Sequence, residues 1–169
     1  ILYRLGFEEG FYERIKQSAG YMPVSLLKKI EERRAIWIHA ASVGEIVATS
    51  PLVKDIKREF PEAVVVVSVV TATGHAMAHR IIPEAEGIIF FPLDLPYLTR
   101  KILHIIKPIT ILLVETEIWP NFLRIAQDEK IPVMMVNGRI SDRSMRRYKF
   151  IRSFTREMLR SISRFCMQS

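Results

Sequence analysis

Residues 35–74 read AIWIHAASVGEIVATSPLVKDIKREFPEAVVVVSVVTATG. Two apolar runs in this stretch, 36–40 and 64–70, have the length and composition of strands that are buried on both faces. Between them, residues 46–60 have the apolar spacing of an amphipathic helix, and Pro61 stands where that helix should end. The stretch therefore predicts a strand, a helix and a second, parallel strand.

The same alternation continues along the chain. Further strands are predicted at 88–92, 109–114 and 133–136, and further helices at 74–82, 95–107 and 119–130. About five alternations of this kind predict an α/β fold with a Rossmann-like, doubly wound and mostly parallel sheet. Residues 1–34 are predicted to form a helical lead-in to a domain at 35–169, within which 142–164 form one or two helices and 165–169 begin another strand.

The composition is that of a folded domain. The chain has 169 residues, of which 49% are hydrophobic and 25% charged, and this excludes a disordered tail or a fibrous repeat. No apolar run approaches the roughly 18 uncharged residues of a membrane-spanning helix. A single cysteine, Cys166, excludes an intramolecular disulfide and a cysteine-rich metal cage, and it favours a reducing compartment.

Positive charge is concentrated near the C-terminal end. The net charge is +7, and residues 139–164 hold nine Lys and Arg against two acidic residues, a difference equal to the whole net charge. Arginines recur every four residues from Arg152 to Arg164 and would stack along one helical face. Because guanidinium groups pair with phosphate, this basic segment is either a solvated helix flank or a surface for an anionic partner. It matches no nucleic-acid recognition signature.

Small, hydroxylated, amide and charged residues follow four of the predicted strands. They are ASVGE at 41–45, TATG at 71–74, ETEIWPN at 115–121 and NGRIS at 137–141. In doubly wound sheets, ligands bind outside the carboxyl ends of the strands. We therefore expect these four segments to lie on one rim of the sheet and to carry the function.

Glu45 lies in the first turn of the helix after the first strand, where Ser42 and Gly44 leave room for a ligand. Placement alone leaves two interpretations open: an ordinary first-turn glutamate, or a general base that faces the cleft. No G-x-G-x-x-G fingerprint follows the strand, so a nicotinamide or flavin site is not predicted.

Thr71 or Thr73 could cap the next helix, and the N–H groups exposed there could instead hold an anion. Capping is the commoner outcome. His75 and His79 have the i, i+4 spacing of zinc ligands, but Ala76 stands where a metalloprotease motif carries its glutamate. No metal site is predicted.

Glu115 and Glu117 flank Thr116 after a strongly apolar strand, and in an extended backbone both side chains would point to one side. Two close carboxylates repel unless a cation lies between them or one is protonated. A structural pairing with a nearby Arg or Lys is the alternative to a catalytic role. Arg139 and Ser141 are candidate anion or hydroxyl partners, with ordinary loop hydrogen bonding as their alternative.

Four segments together resemble the motifs of a known family. WIHAASVGE at 37–45, TATG at 71–74, ETEIWPN at 115–121 and NGRIS at 137–141 are similar, in order and at matching strand ends, to the 3-deoxy-D-manno-octulosonic acid (Kdo) transferases. The likeness extends from about Trp37 to the C-terminus. Enzymes of this family attach Kdo to the lipid A precursor in lipopolysaccharide biosynthesis.

The resemblance implies an inverting glycosyltransferase of the GT-B type with two Rossmann-like halves. This chain would be the N-terminal half, which receives the lipid acceptor. The C-terminal half, which would hold the donor CMP-Kdo, is expected to be absent from this chain, so that the chain alone would be inactive. No metal or other cofactor is implied.

The resemblance places the catalytic base at Glu45. Supporting catalytic or acceptor-binding roles are implied for residues at the four strand ends, namely Ser42, Gly44, Thr71, Thr73, Gly74, Glu115, Glu117, Asn121, Arg139 and Ser141. Lipid phosphate or an anionic membrane surface would contact Arg143, Arg147, Arg152, Arg156 and Arg160. The implied location is the cytoplasmic face of the inner membrane, with peripheral attachment or an anchor segment outside this chain.

Two alternatives remain open from the sequence. One is the acceptor half of another GT-B enzyme, and the other is a non-catalytic basic module that binds anionic membrane or nucleic acid. Glu45, Glu115 and Glu117 distinguish an enzyme from such a module, because a phosphate-binding surface gains nothing from carboxylates near its ligand.

Overall fold

The strands of the protein form one parallel sheet in its computed structural model, which describes residues 11–31, 33–115, 117–138, 156 and 158–168. The strands are β1 (Ala35–His39), β2 (Val64–Val69), β3 (Gly87–Phe90), β4 (Pro108–Val114), β5 (Val133–Gly138) and β6 (Arg164–Met167). Their order is β3-β2-β1-β4-β5-β6, and every neighbouring pair is parallel. The prediction of a Rossmann-like, doubly wound sheet is confirmed.

Helices cover both faces of the sheet. They are α1 (Phe11–Ser18), α2 (Val24–Ile30), α3 (Val43–Glu59), α4 (Ala72–Ile81), α5 (Pro96–Ile106) and α6 (Pro120–Asp128). Val65 packs with Ile46 of α3 on one face, and Val66 packs with Leu103 of α5 and Phe122 of α6 on the other. Successive valines of β2 therefore belong to different cores, since side chains alternate between the faces of a strand.

Nearly all predicted element bounds agree with the structure to within two residues. One exception is α3, which begins at Val43, three residues earlier than predicted, because Ser42 caps it. The other is the segment predicted to form one or two helices at 142–164: most of it lies outside the described residues, its described residues 156 and 158–160 are helical, and β6 begins at Arg164. The strand predicted to begin near residue 165 is β6, at the edge of the sheet. No helix within the described ranges is both long enough and apolar enough to cross a bilayer.

The helices before β1 are tied to the opposite edge of the sheet, at β3. The Phe90 N–H donates to Gln17 Oε1 at 2.9 Å, and Ser18 Oγ donates to the Phe91 carbonyl at 3.0 Å. Both α1 side chains are buried. They provide partners for backbone groups at the β3 edge, and buried groups of this kind are costly to leave unpaired.

The strand order places a crevice between β1 and β4. Connections from β1 lead to β2 and β3 on one side, whereas β4, β5 and β6 lie on the other. His39, the last residue of β1, pairs with Ser68 on β2 and Leu113 on β4. In open α/β sheets, ligands bind at the carboxyl ends of the strands where the order reverses in this way. The loops after β1 and β4 therefore border the same crevice.

Candidate active site

Glu45 is the third residue of α3, and its carboxylate takes part in the cap of that helix. Ser42 Oγ accepts the Glu45 N–H at 3.2 Å, and Glu45 Oε2 accepts the Ala41 N–H at 2.7 Å. This is a capping box in which the glutamate reaches the residue before the N-cap. The Glu45 side chain is buried. It therefore has a structural role at the mouth of the crevice, whichever chemistry it also performs.

Gly44 and Gly74 meet different surroundings. Apart from the neighbouring residues and the backbone of its own helix, a Cβ built on Gly44 would meet one described atom within 4 Å, Ser42 Oγ at 3.9 Å, so this position faces open space. A Cβ on Gly74 would lie 3.0 Å from Thr71 Oγ1 and 3.1 Å from Ile46 Cδ1. Gly44 therefore leaves room for a ligand, whereas Gly74 allows α4 to pack closely against α3.

Of the two threonines predicted as candidates, Thr71 is the one that caps α4. Its Oγ1 accepts the Gly74 N–H at 3.0 Å and lies 3.2 Å from Thr73 Oγ1. Both threonines are exposed beyond the carboxyl end of β2, the strand beside β1. They therefore lie on the same rim of the sheet as Glu45, with hydroxyl groups that a ligand can reach.

The backbone turns at Glu115, directly after β4. Its φ of 61° lies in the left-handed region, and its N–H donates to the Val136 carbonyl at 2.9 Å. The expectation of an extended segment from Glu115 to Glu117 is therefore wrong, because the chain leaves the sheet through a left-handed residue. Such residues cost roughly 1–3 kcal/mol and gather at functional sites.

Glu117 is partly buried at the same mouth, and its Oε2 accepts the Trp119 Nε1–H at 3.1 Å. Burial raises the pKa of the Glu117 carboxyl above its ordinary value, and the charge of Glu45 raises this pKa further. The Trp119 hydrogen bond lowers the pKa and partly offsets these effects, whereas the charge of Glu115 adds a smaller increase. Glu117 Oε2 also lies 3.9 Å from Nε2 of His39, at the end of β1, so the loop after β4 reaches the strand that leads to Glu45.

His39 is the residue of this site to which the sequence analysis assigned no role. Its ring is fully buried and stacks on Phe91 with 3.9 Å between centroids, and burial lowers its pKa to about 3. Nδ1 lies 3.0 Å from Ser68 Oγ, which also accepts the Trp37 Nε1–H at 2.8 Å. The available signal was that His39 and Ser68 are polar residues within otherwise apolar strands.

Asn121 and the start of α6 are held by a residue that the sequence analysis did not single out, Asp94. The Asp94 carboxylate accepts the Asn121 N–H at 3.1 Å and the Phe122 N–H at 2.8 Å, and Asn121 Nδ2 donates to the Asp94 carbonyl at 2.7 Å. Both the backbone N–H and the side-chain amide of Asn121 therefore bind Asp94, and these bonds help to position the start of α6.

His75 has structural contacts. Its ring stacks on Phe90 with 4.5 Å between centroids, and Nε2 donates to the Ile88 carbonyl at 3.2 Å. Burial lowers the pKa of His75, and the neighbouring His79 lowers it further. Across the described part of the chain, no three His, Cys, Asp or Glu side chains are grouped as metal ligands would be.

A cavity of about 660 Å³ lies at the opposite rim, near the start of β1 and β4. Its lining includes Arg34, Phe60 and Ile109, and most of its surface is apolar. The carboxylates lie beyond the other ends of the same strands, so this cavity is separate from the candidate active site.

The basic segment is described only in part. Arg156 and Arg160 lie in a helical stretch, and both side chains are exposed. Met158, which lies between them, and Ile162, which follows them, are buried on the face of the sheet that α6 covers. The other predicted members of the site in this region lie outside the described residues: Arg139, Ser141, Arg143, Arg147 and Arg152.

A family model described as 3-deoxy-D-manno-octulosonic-acid transferase (Kdo transferase) matches residues 10–169, nearly the whole chain. The chain belongs to the Kdo transferase family. The resemblance predicted from four strand-end segments is thereby confirmed. Within this Kdo transferase chain, the segments after β1, β2 and β4 lie on one rim, as expected from the parallel strand order.

Three curated relatives show the extent of the likeness. The 3-deoxy-D-manno-octulosonic acid transferase of Haemophilus influenzae is 32% identical over 135 residues, 80% of this chain and 32% of the relative. That of Bordetella pertussis is 34% identical over 140 residues, 79% of this chain and 32% of the relative. A bifunctional glycosyltransferase/methyltransferase of Fusobacterium nucleatum is 37% identical over 142 residues, 83% of this chain and 22% of the relative. The chain thus spans about a third or less of these relatives.

Proposed function

We propose that this chain is the N-terminal, acceptor-binding half of a GT-B glycosyltransferase that moves Kdo from CMP-Kdo to the lipid A precursor in lipopolysaccharide biosynthesis. Family membership supports Kdo as the transferred sugar. The observation that carries the site is that Glu117 Oε2 lies 3.9 Å from His39 Nε2, at the end of the strand that leads to Glu45, so that carboxylates following β1 and β4 border one crevice. A non-catalytic anion-binding module would gain nothing from carboxylates placed there.

In the proposed reaction, Glu45 is the general base. It removes the proton from an acceptor hydroxyl, and the hydroxyl oxygen attacks the anomeric carbon of CMP-Kdo. The bond between that carbon and the CMP phosphate oxygen breaks, its electrons leave with CMP, and the configuration at the carbon inverts. This scheme uses no cofactor. This half binds the acceptor and contains the base, Glu45, whereas the other half binds CMP-Kdo.

The residues around Glu45 have supporting roles in this proposal. Gly44 leaves space for the acceptor because no side chain projects from it. Thr71 and Thr73 offer exposed hydroxyl groups on the same rim. Glu115 and Glu117 influence acceptor placement and the charge in the transition state, and the charges of Glu45 and Glu115 both raise the pKa of the Glu117 carboxyl.

The experiment compares Glu45→Gln with Glu45→Ala in the complete enzyme. Glutamine retains an oxygen that can accept the Ala41 N–H, so the α3 cap is kept while basicity is lost. Because proton transfer by a placed carboxylate contributes about 10²–10⁴ in rate, we expect Glu45→Gln to lower turnover of CMP-Kdo by that factor. Affinity for the acceptor should change little.

Glu59→Gln is the matched control, because Glu59 is exposed at the far end of the same helix. Its turnover should equal that of the wild type. If Glu45→Gln kept near-normal turnover while Glu45→Ala unfolded, Glu45 would be only a capping residue, and the role of base would pass to Glu115 or Glu117.

We further propose that the complete enzyme works at the cytoplasmic face of the inner membrane, either peripherally or through an anchor segment outside this chain. Its partners would be the phosphorylated lipid acceptor and the anionic membrane surface. The support is the concentration of the whole net charge of +7 in residues 139–164, with Arg156 and Arg160 exposed.

A further inference from the structure

His39 has a buried nitrogen without a hydrogen-bond partner. Nε2 is inaccessible to solvent and makes no hydrogen bond with any described residue. It lies 3.9 Å from Glu117 Oε2, at the carboxyl end of β1. Leaving a buried polar atom unpaired is costly, and such atoms in native proteins call for an explanation. The proposed reaction makes no use of this nitrogen.

The hydrogen bonds on the other side of the ring select one tautomer. The Trp37 indole can only donate, so Ser68 Oγ accepts its N–H at 2.8 Å. The Ser68 hydroxyl hydrogen then has two acceptors in reach, His39 Nδ1 at 3.0 Å and the Ile38 carbonyl at 3.5 Å. The shorter bond makes Nδ1 an acceptor. The ring proton is then on Nε2, facing Glu117.

The competing tautomer has a poorer arrangement. It would direct an Nδ1–H either at the Ser68 carbonyl, 3.2 Å away, which already accepts the Ala40 N–H at 2.9 Å, or at Ser68 Oγ, whose hydroxyl hydrogen would then be left with the Ile38 carbonyl at 3.5 Å. In both cases the lone pair of Nε2 would face the Glu117 carboxylate, an acceptor against an acceptor. A buried ring whose pKa lies at about 3 is neutral at physiological pH and carries one N–H. That N–H is therefore either directed at Ser68, on the inner side of the ring, or available at the mouth of the crevice.

We propose that His39 is a positioning residue for Glu117: Trp37 and Ser68 fix the imidazole as its Nε2–H tautomer, and this N–H binds the Glu117 carboxylate. An approach of about 1 Å brings the two atoms within hydrogen-bond distance. The His39 and Trp119 N–H groups then converge on one carboxylate and set its direction in the crevice. The use of that carboxylate toward an acceptor rests on the proposed function, but the hydrogen bond does not.

The charges around Glu117 make this bond measurable. Glu45 from α3 and Glu115 from the same loop oppose its ionisation, and the Trp119 N–H favours it. Among described residues, the one basic side chain within ion-pair distance of Glu117 is His39, and its ring is neutral at physiological pH. An N–H from His39 would stabilise the ionised carboxylate. Removing this donor should therefore raise the pKa of Glu117.

The test follows Glu117 by NMR titration of the chain with 13C-labelled glutamate. Ser68→Ala removes the hydroxyl that holds Nδ1, and His39→Phe keeps an aromatic ring against Phe91 without any nitrogen. We expect the pKa of Glu117 to rise by about one unit in each variant. Thr99→Val is the control, because Thr99 is equally buried and its hydroxyl has no partner among described residues. It should leave this pKa unchanged.

Long-range 1H–15N spectra of the wild type determine which ring nitrogen of His39 carries the proton. A proton on Nδ1, or an unchanged Glu117 pKa in Ser68→Ala, would overturn the proposal. If His39→Phe does not fold, the tautomer of His39 and the Glu117 pKa in Ser68→Ala are still enough to support or overturn the proposal. None of these readouts depends on sugar transfer, so a failure of the proposed function would be seen separately, as absence of Kdo transfer by the wild-type complete enzyme.

Discussion

At the residue scale, the buried neutral His39 makes the fold sensitive to acid. Burial lowers its pKa in the folded protein from 6.5 to about 3, whereas the unfolded chain takes up a proton near 6.5. The stability that His39 contributes is therefore fully present above pH 6.5 and is lost as the pH falls toward 3. Between pH 7 and pH 5, we expect the free energy of unfolding to fall by about 2 kcal/mol from this residue.

Urea unfolding at the two pH values measures this loss. His39→Phe lacks the titrating group, so its unfolding free energy should fall by about 2 kcal/mol less than that of the wild type over the same interval. The variant will be less stable at pH 7, because Ser68 loses a hydrogen-bond partner. Equal pH dependence in both proteins would show that His39 is protonated in the folded state.

The same residues show the limit of reading a site from sequence. Glu45 in a first helical turn and a threonine cap at 71 or 73 are predictable, because a glutamate and a threonine at a helix start have a local cause. His39 lies in an apolar run of the sequence and is assigned no role there, because its neutral form follows from burial in the folded protein and its side-chain partner, Ser68, comes from another strand. The left-handed turn at Glu115 was likewise not predicted, because it follows from pairing with β5.

At the element scale, α6 depends on a cap from a distant loop. Its N-cap residue, Trp119, makes no side-chain capping bond, and Asp94 instead accepts two N–H groups of the first turn. Loss of a capping side chain typically costs about 0.5–2 kcal/mol. We expect Asp94→Ala to lower the free energy of unfolding by about 1–2 kcal/mol in urea or thermal unfolding.

Two further variants sharpen this measurement. Asp94→Asn keeps one acceptor oxygen and should lie between the wild type and Asp94→Ala. Asp55→Ala removes an exposed aspartate whose surface pair with Arg58 is worth little, so it should change stability by less than about 0.5 kcal/mol. If Asp94→Ala matched Asp55→Ala, the cap would be energetically unimportant. Turnover should fall with Asp94→Ala as well, because Trp119 at this helix start holds Glu117.

Element positions were largely predictable because apolar period and proline are local signals. The strand order was not, since the neighbourhood of β1 and β4 arises from pairings between residues such as Trp37 and Ile111, far apart in sequence. The sequence therefore predicted which loops share a rim, but not that Glu45 and Glu117 would border one crevice.

At the scale of the whole molecule, negative and positive groups are segregated along the chain. The carboxylates of the candidate site lie beyond β1 and β4, whereas eight of the nine basic residues of 139–164 fall between β5 and β6, and the ninth, Arg164, is the first residue of β6. The described part of the basic segment packs Met158 and Ile162 inward and exposes Arg156 and Arg160. This amphipathic arrangement leaves the cations free of the core and directed to solvent, where an anionic surface can reach them.

Binding to anionic vesicles tests that arrangement. Each basic residue near such a surface contributes about 1 kcal/mol, so the double variant Arg156→Glu, Arg160→Glu should bind at least roughly thirtyfold more weakly. Binding of the wild type should weaken as salt rises, because salt screens the attraction and the Debye length is about 10 Å at 0.1 M.

The matched control is the double variant Lys54→Glu, Arg80→Glu, which makes the same change in net charge at exposed positions of α3 and α4. Sedimentation with phosphatidylserine vesicles should therefore separate the two double variants, since a local surface loses affinity only in the first. Equal losses in both would mean that net charge alone drives binding, and no loss in either would leave residues 139–164 as a solvated flank.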